Sequence, residues 1–492
     1  MTVSMNSPST AVLPSTSRPS PTKNATAVSR SETVTAMWSK RRIAATKSPS
    51  SVNRKAWVLA TSLGVTPEGD PVAMSNSGIA DGIFPFFFIS GFESSTFDWK
   101  DVGRRDLAEE TQHRERAAED YRMLHDLGIG VAREGIPWPF VERDGGYDFS
   151  IVDPLIEAMN AASITPIWTL CHYGYPEDAD PYGPDFADRF ARYARAAAEY
   201  VIPRVEAKAP NFFTPINEIT YFSMAAGEWG LFAPFGKEPR GRDRLRLALT
   251  SADIAGVNAI REVDSDARMV AMDPLVNVVA PRDRPDLTEA ADRETYVDTF
   301  LAWDILGGLQ HPELGGSPEI LDIVGLNCYS FGQQEYREGT PHASLDPGDD
   351  RIIPLADLMA LAWERYQRPM IVAETSGLRD GRADWLRDVM GEALAAIDRG
   401  MELHGVCLFP AVDMPDWNNG EWLHNGIADL VANGPDLERV PDPEYVAEIR
   451  RWQQLLERPT SIDEDPFSDP VDLSEVTVAA RRLHERADAD WS

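Results

Sequence analysis

Residues 212–218 read Phe212-Phe213-Thr214-Pro215-Ile216-Asn217-Glu218, and residues 369–374 read Pro369-Met370-Ile371-Val372-Ala373-Glu374. Each is a short apolar run that closes on a glutamate. Runs that are apolar on consecutive rather than alternate positions are what strands buried on both faces of a parallel sheet produce. Working outward, six more runs of this kind lie at 84–90, 129–134, 165–171, 268–273, 321–328 and 404–410. Stretches with helical period separate them, at 112–127, 151–162, 185–207, 243–263, 295–306, 355–366 and 383–399, with Arg and Glu or Asp on the outer side. Eight strands alternating with amphipathic helices predict an α/β chain folded as a (β/α)8 TIM barrel. An open doubly wound sheet would need a Gly-rich phosphate loop after an early strand, and the sequence has none.

In such a barrel every strand opens its carboxyl end on one rim, so glutamates ending the fourth and seventh strands face a common cleft. Either glutamate alone reads equally well as a solvated loop residue near a helix start. Two on one rim, one of them preceded by Asn217, point to a pair of carboxylates that share one reaction. Cleavage of a glycosidic bond requires such a pair.

The formal charge of −32 is uneven: residues 1–80 hold nine Lys or Arg against three acids, so the remainder carries −38. A body that acidic repels phosphate backbones and anionic lipid heads, which excludes nucleic acid and membrane surfaces as expected partners and favours a neutral or cationic ligand such as a carbohydrate. Cys171, Cys328 and Cys407 are odd in number, widely spaced and without a CxxC pair, and all fall in predicted strands, where they read as small buried hydrophobes. No HExxH or similar ligand spacing appears, so neither a metal nor another cofactor is expected.

Residues 1–80 are expected to be a basic, low-complexity, disordered leader, 81–456 the catalytic barrel and 457–492 a short acidic C-terminal tail. An Arg- and Ser-rich leader is compatible with a transit peptide, and Met37 and Met74 are alternative starts. With no signal-peptide core and no run long enough to span a membrane, a cytoplasmic location is the default expectation. Oligomeric state is not legible.

The chain resembles the clan A glycosidases, and most closely glycoside hydrolase family 1, the β-glucosidase family, over about Phe84 to Leu430. The family's strand-four "NEP" and strand-seven "TENG" motifs are matched by Asn217-Glu218-Ile219 and by Ala373-Glu374-Thr375-Ser376-Gly377. "RFSISW" is similar to Arg133-Glu134-Gly135-Ile136-Pro137-Trp138, and "TLYHWDLP" to Thr169-Leu170-Cys171-His172-Tyr173-Gly174-Tyr175-Pro176. "GLNYYT" corresponds to Gly325-Leu326-Asn327-Cys328-Tyr329-Ser330, and "DNFEWANG" aligns without a gap on residues 413–420. Each motif is weak alone; six in the family's order are specific.

What the resemblance implies is a retaining β-glycosidase acting on a small glycoside or oligosaccharide, with Glu374 as nucleophile and Glu218 as acid and then base. Arg133 and Tyr329 would keep Glu374 ionised, while burial and nearby negative charge raise the pKa of Glu218. Asn217 would donate to the 2-hydroxyl of the sugar, His172 would bind another ring hydroxyl, Asn327 would line the same subsite, and Trp417 and Phe409 would form the wall behind the sugar. Departures fall where the sugar is read: Glu93 stands where the family has a glutamine, Asp416 replaces a glutamate, and Phe409 replaces a tryptophan. Asp273, Asn277 and Glu228 follow strands five and four and are further candidates for the rim, and the insertions at 219–242 and 329–354 are expected to close a pocket. The alternatives are a transglycosidase using the same intermediate, a polysaccharide-cleaving clan A enzyme with an open groove, and an inactive carbohydrate-binding barrel.

Overall fold

The computed structural model describes residues 82–456 except 208, 238, 418 and 419. The leader over 1–80 and the tail over 457–492 lie outside the described residues.

Eight parallel strands close into a barrel: β1 Phe88–Gly91, β2 Val131–Gly135, β3 Thr165–Cys171, β4 Phe212–Ile216, β5 Arg268–Pro274, β6 Ile323–Asn327, β7 Met370–Thr375 and β8 Leu403–Leu408. Neighbours in sequence are neighbours in the sheet, and β1 closes against β8 through Phe88 opposite Val406 and Ser90 opposite Leu408. The helices α1 His113–Asp126, α2 Asp153–Ala162, α3 Phe186–Val201, α4 Pro239–Val263, α5 Leu301–Leu306, α6 Leu355–Tyr366, α7 Arg382–Asp398 and α8 Pro443–Leu456 surround it.

Continuous apolar strands arise because both faces are covered. One side chain from each strand fills the barrel interior: Ile89, Val131, Ile167, Phe212, Val270, Ile323, Ile371 and Cys407, all buried, with Phe84 stacked on Phe212 below at 4.5 Å between ring centroids. Alternate positions face the helices, as Trp168 and Val372 do. The three cysteines are free and buried, as small hydrophobes: Cys171 and Cys407 lie in β3 and β8, and Cys328 directly follows β6.

The helical layer differs from expectation in two places. The stretch 295–306 is broken into a wide helical turn, Glu294–Asp298, and α5, and a separate helix, Thr288–Arg293, precedes it. The eighth helix was not foreseen, because a hairpin, Ala428–Asn433 paired with Asp436–Pro441, separates it from β8. Arg382 on α7 reaches Asp429 at 2.8 Å and Asp442 at 2.7 Å, fixing the hairpin and the start of α8.

Candidate active site

The barrel interior turns polar one layer above its apolar floor. Arg133 sits two residues after Val131 on the same inward face of β2 and is 1% exposed. Its Cβ lies 2.8 Å from where a Cβ on Gly91 would stand, so only glycine at the end of β1 admits it. The guanidinium lies over the Phe409 ring at 4.7 Å, donates from Nη1 to Glu374 Oε1 at 2.6 Å and from Nη2 to Asn217 Oδ1 at 2.9 Å. Tyr329 donates its hydroxyl to Glu374 Oε2 at 2.9 Å. Glu374 is thus held on one oxygen by a cation and on the other by a phenol. A register irregularity in the β6–β7 pairing, between Leu326 and Asn327, sets Asn327 opposite Glu374.

Glu218 follows β4 in a left-handed conformation, φ 49°, uncommon for a residue with a side chain. Acidic acceptors fix the chain on both sides: Asp253 of α4 accepts the Ile216 N–H at 3.0 Å, and Asp273 at the end of β5 accepts that of Thr220 at 2.8 Å. The Glu218 carboxyl accepts from Asn327 Nδ2 at 2.7 Å and from the hydroxyl of Tyr173. Burial first, then the charge of Glu374, pushes the Glu218 carboxyl up to about 8, and Asp273 adds to the rise. Two carboxyls on one rim therefore stand in unlike surroundings, one facing a guanidinium and the other desolvated beside negative charge.

The remaining candidates are distributed unevenly. His172 is buried at the end of β3, with Nδ1 3.1 Å from Ser94 Oγ and 3.5 Å from Glu93 Oε1; burial pushes its imidazole down to about 3, so the ring is neutral. Glu93 turns back on its own loop, accepting from Ser95 N at 2.9 Å and from the Ser95 hydroxyl, and burial raises its carboxyl against those bonds. Phe409 is part of the barrel interior beneath Arg133, 2% exposed, instead of an open wall. Trp417 packs within an aromatic group, its ring 4.9 Å from Phe97, 5.9 Å from Tyr173, 6.0 Å from Trp99 and 6.3 Å from Tyr221. Its indole Nε1 is buried with no partner among the described residues. Asp416, beside it, is buried in the loop after β8, where its N–H donates to Glu421 O at 2.7 Å.

Of the other rim candidates, Asp273 lies under Glu218, whereas Asn277 and Glu228 are drawn elsewhere. Asn277 bonds Gln333 at 2.8 Å and the Arg351 carbonyl at 3.0 Å in a small sheet, and Glu228 faces Arg242 at 3.6 Å. The 219–242 insertion covers the rim through Tyr221 and Phe232, the latter 5.5 Å from Tyr173, while 329–354 builds that small sheet. Sequence reasoning missed Tyr173. The available signal was its place in the strand-three motif, where the family's tryptophan gives way to a residue with a hydroxyl. Asp413, His424 and Asp429 cluster after β8, but their oxygens already accept from Gly426 N at 3.0 Å, Leu430 N at 3.2 Å and Arg382 at 2.8 Å.

A closed parallel barrel with a glutamate just past its fourth strand and another in its seventh is like that of the clan A glycoside hydrolases, and the chain is similar to them. The model for Glycosyl hydrolase family 1 matches residues 91–308. Beta-glucosidase A of Thermotoga maritima is 24% identical over 369 residues, 64% of this chain and 81% of the relative. Thermostable beta-glucosidase B of Thermobispora bispora is 29% identical over 380 residues, 67% and 75% respectively. In fold, the chain is similar to a Thermotoga maritima beta-glucosidase in complex with glucoimidazole, with a TM-score of 0.62 and 17% identity over 75% of this chain and 98% of that one. The protein is accordingly an O-glycosyl hydrolase, similar to the β-glucosidases of family 1. Among the described residues no helix is long and apolar enough to cross a membrane.

Proposed function

We propose that the protein is a retaining β-glycosidase that opens the O-glycosidic bond of a small glycoside or oligosaccharide by double displacement. The observation that carries this reading is the contrast between the two carboxyls: Glu374 paired with Arg133 at 2.6 Å, and Glu218 desolvated and raised to about 8. A nucleophile must be an anion and a general acid must hold its proton at working pH, and these surroundings support that division.

In the first step a Glu374 oxygen attacks the anomeric carbon while Glu218 gives its proton to the leaving oxygen. The bond to the leaving group breaks and a glycosyl ester forms. In the second step Glu218, now a carboxylate, takes a proton from water. The water oxygen attacks the anomeric carbon, and Glu374 departs as a carboxylate. Asn217 is oriented for the 2-hydroxyl: Arg133 occupies its Oδ1, which turns the amide N–H groups toward Tyr173 and the cleft, 3.3 Å from the phenol oxygen. That contact strengthens as charge develops on the ring.

The relatives are named as β-glucosidases, and a β-glucoside is the first substrate class to try. Glu93, 3.5 Å from His172, and Asp416, in the loop after β8, depart from the family's glutamine and glutamate, which supports a preferred sugar other than glucose. The test is incubation with a panel of 2-deoxy-2-fluoro glycosides bearing a good leaving group, followed by intact mass and peptide mapping. A sugar on Glu374 is the expected result. Release of leaving group with a label on any other residue, or no reaction with any sugar, would overturn the assignment.

A further inference from the structure

Behind Arg133, on the outer face of β2, lies a fully buried charged network that the reaction itself does not use. His113, at the start of α1, is 0% exposed and is held between two acids: its Nδ1 is 2.7 Å from Asp120 Oδ2 and its Nε2 is 2.8 Å from Glu134 Oε2. Tyr121 donates its hydroxyl to the same Glu134 oxygen. Arg439, from the hairpin after β8, closes the other end on Asp120 at 2.7 and 3.1 Å and on the Thr111 carbonyl at 2.9 Å. Burial alone would pull the imidazolium down, but the Glu134 and Asp120 carboxylates outweigh it and hold it up to about 9. The cluster sets two basic side chains, His113 and Arg439, against two acidic ones, Asp120 and Glu134.

What this network grips is the backbone on both sides of Arg133. Glu134 is the next residue, and its second carboxylate oxygen accepts the Gly135 N–H at 2.9 Å. The Phe92 ring stacks on the His113 imidazole at 3.6 Å between centroids, and the Phe92 N–H donates to the Arg133 carbonyl at 3.1 Å. Alternation along β2 puts Arg133 inside the barrel and Glu134 outside, so a charge at 134 cannot reach the cleft itself. The "RFSISW" pattern has phenylalanine at that position, and an apolar residue would suffice for packing alone. A carboxylate there, bonded by His113 and Tyr121 of α1 and tied through His113 and Asp120 to Arg439 of the hairpin, fixes direction as well as depth, because each of its bonds is angular.

We infer that His113, bridging Glu134 and Asp120 and stacked under Phe92, is a positioning residue that sets the reach of Arg133 to Glu374. The inference rests on the reading of Glu374 as nucleophile. His113 touches neither carboxyl of the cleft and acts only through β2 and the Phe92 loop.

The test uses the full-length protein and the fluoro-sugar that labels it best. For His113→Gln, the maximal rate of adduct formation should fall about tenfold while the sugar concentration for half-maximal rate stays within about twofold, since attack geometry and not binding is lost. The same substitution in an Arg133→Met background should have no further effect, because residues acting through one another are not additive. Tyr121→Phe removes one bond to Glu134 and keeps the ring, and it should give a smaller loss in the same direction. This variant decides the matter should His113→Gln fail to fold. Equal fold losses from His113→Gln with and without Arg133, or an unchanged rate in folded Tyr121→Phe and His113→Gln, would overturn the inference. Failure of the parent protein to be labelled on Glu374 would instead overturn the proposed function.

Discussion

Arg133 Nη1 and Glu374 Oε1 stand 2.6 Å apart across the barrel, and the pair is the one strong charge contact inside the described cleft. Both groups are almost wholly removed from water, so neither is compensated by solvent when the other is lost. Arg133→Met should lower kcat/KM by about a hundredfold to a thousandfold, in the range found when one preorganised donor is removed from a reaction centre. Steady-state kinetics on an aryl glycoside, with circular dichroism to show that the barrel persists, checks it. A loss below about fivefold would mean that the guanidinium is structural.

The two glutamates should fail differently. Glu374→Gly should abolish hydrolysis, and added azide or formate should restore turnover with inverted product, because a small anion fits the space left by the carboxylate. Glu218→Ala should spare the first step for substrates whose leaving group needs no proton. Product configuration by NMR distinguishes the two. Equal impairment of both variants on activated substrates would contradict the division of roles.

Legibility from sequence followed the physics of each feature. The eight strands could be read because burial on both faces makes them uniformly apolar, and Glu218 and Glu374 stood out because charge interrupts that uniformity. α8 could not be read as part of the repeat, since the hairpin at 428–441 breaks the spacing on which the count rests. Tyr173, Phe409 and Glu93 show a second limit. Whether a side chain faces the cleft, the barrel interior or its own loop depends on local backbone turns such as φ 63° at Tyr173, which periodicity does not encode. The network around His113 is not legible for a different reason: only the closed fold brings α1, the outer face of β2 and Arg439 of the distant hairpin together, and each member reads as an ordinary helix or strand residue.

Asp273 offers a test of electrostatics at the acid. Its carboxyl, pushed up to about 7 chiefly by burial, bonds the Thr220 N–H and adds to the rise at Glu218. In the proposed mechanism Glu218 gives its proton in the first step, so kcat/KM should fall as pH rises through about 8. Asp273→Asn keeps an oxygen for Thr220 and removes the negative charge, which eases ionisation of Glu218. The alkaline limb should move to lower pH by about half a unit. A shift upward, or none with the bond to Thr220 retained, would show that Asp273 has no electrostatic part.

Asp253 makes the matching prediction for stability. Burial pushes its carboxyl from 3.8 up to about 8, while the Ile216 N–H pulls the other way. The folded state thus binds this proton more tightly than the unfolded chain, so the stabilisation is complete below pH 3.8 and is lost progressively as pH rises through about 8. Asp253→Asn retains an acceptor for Ile216 and carries no charge at any pH. The variant should match the parent near pH 4 and exceed it by roughly 2 kcal/mol at pH 8.5, since even part of the desolvation cost of a buried carboxylate is of that size. Urea unfolding at the two pH values measures the difference. A variant less stable than the parent at both would mean that the ionised carboxylate is itself well solvated or paired in the fold.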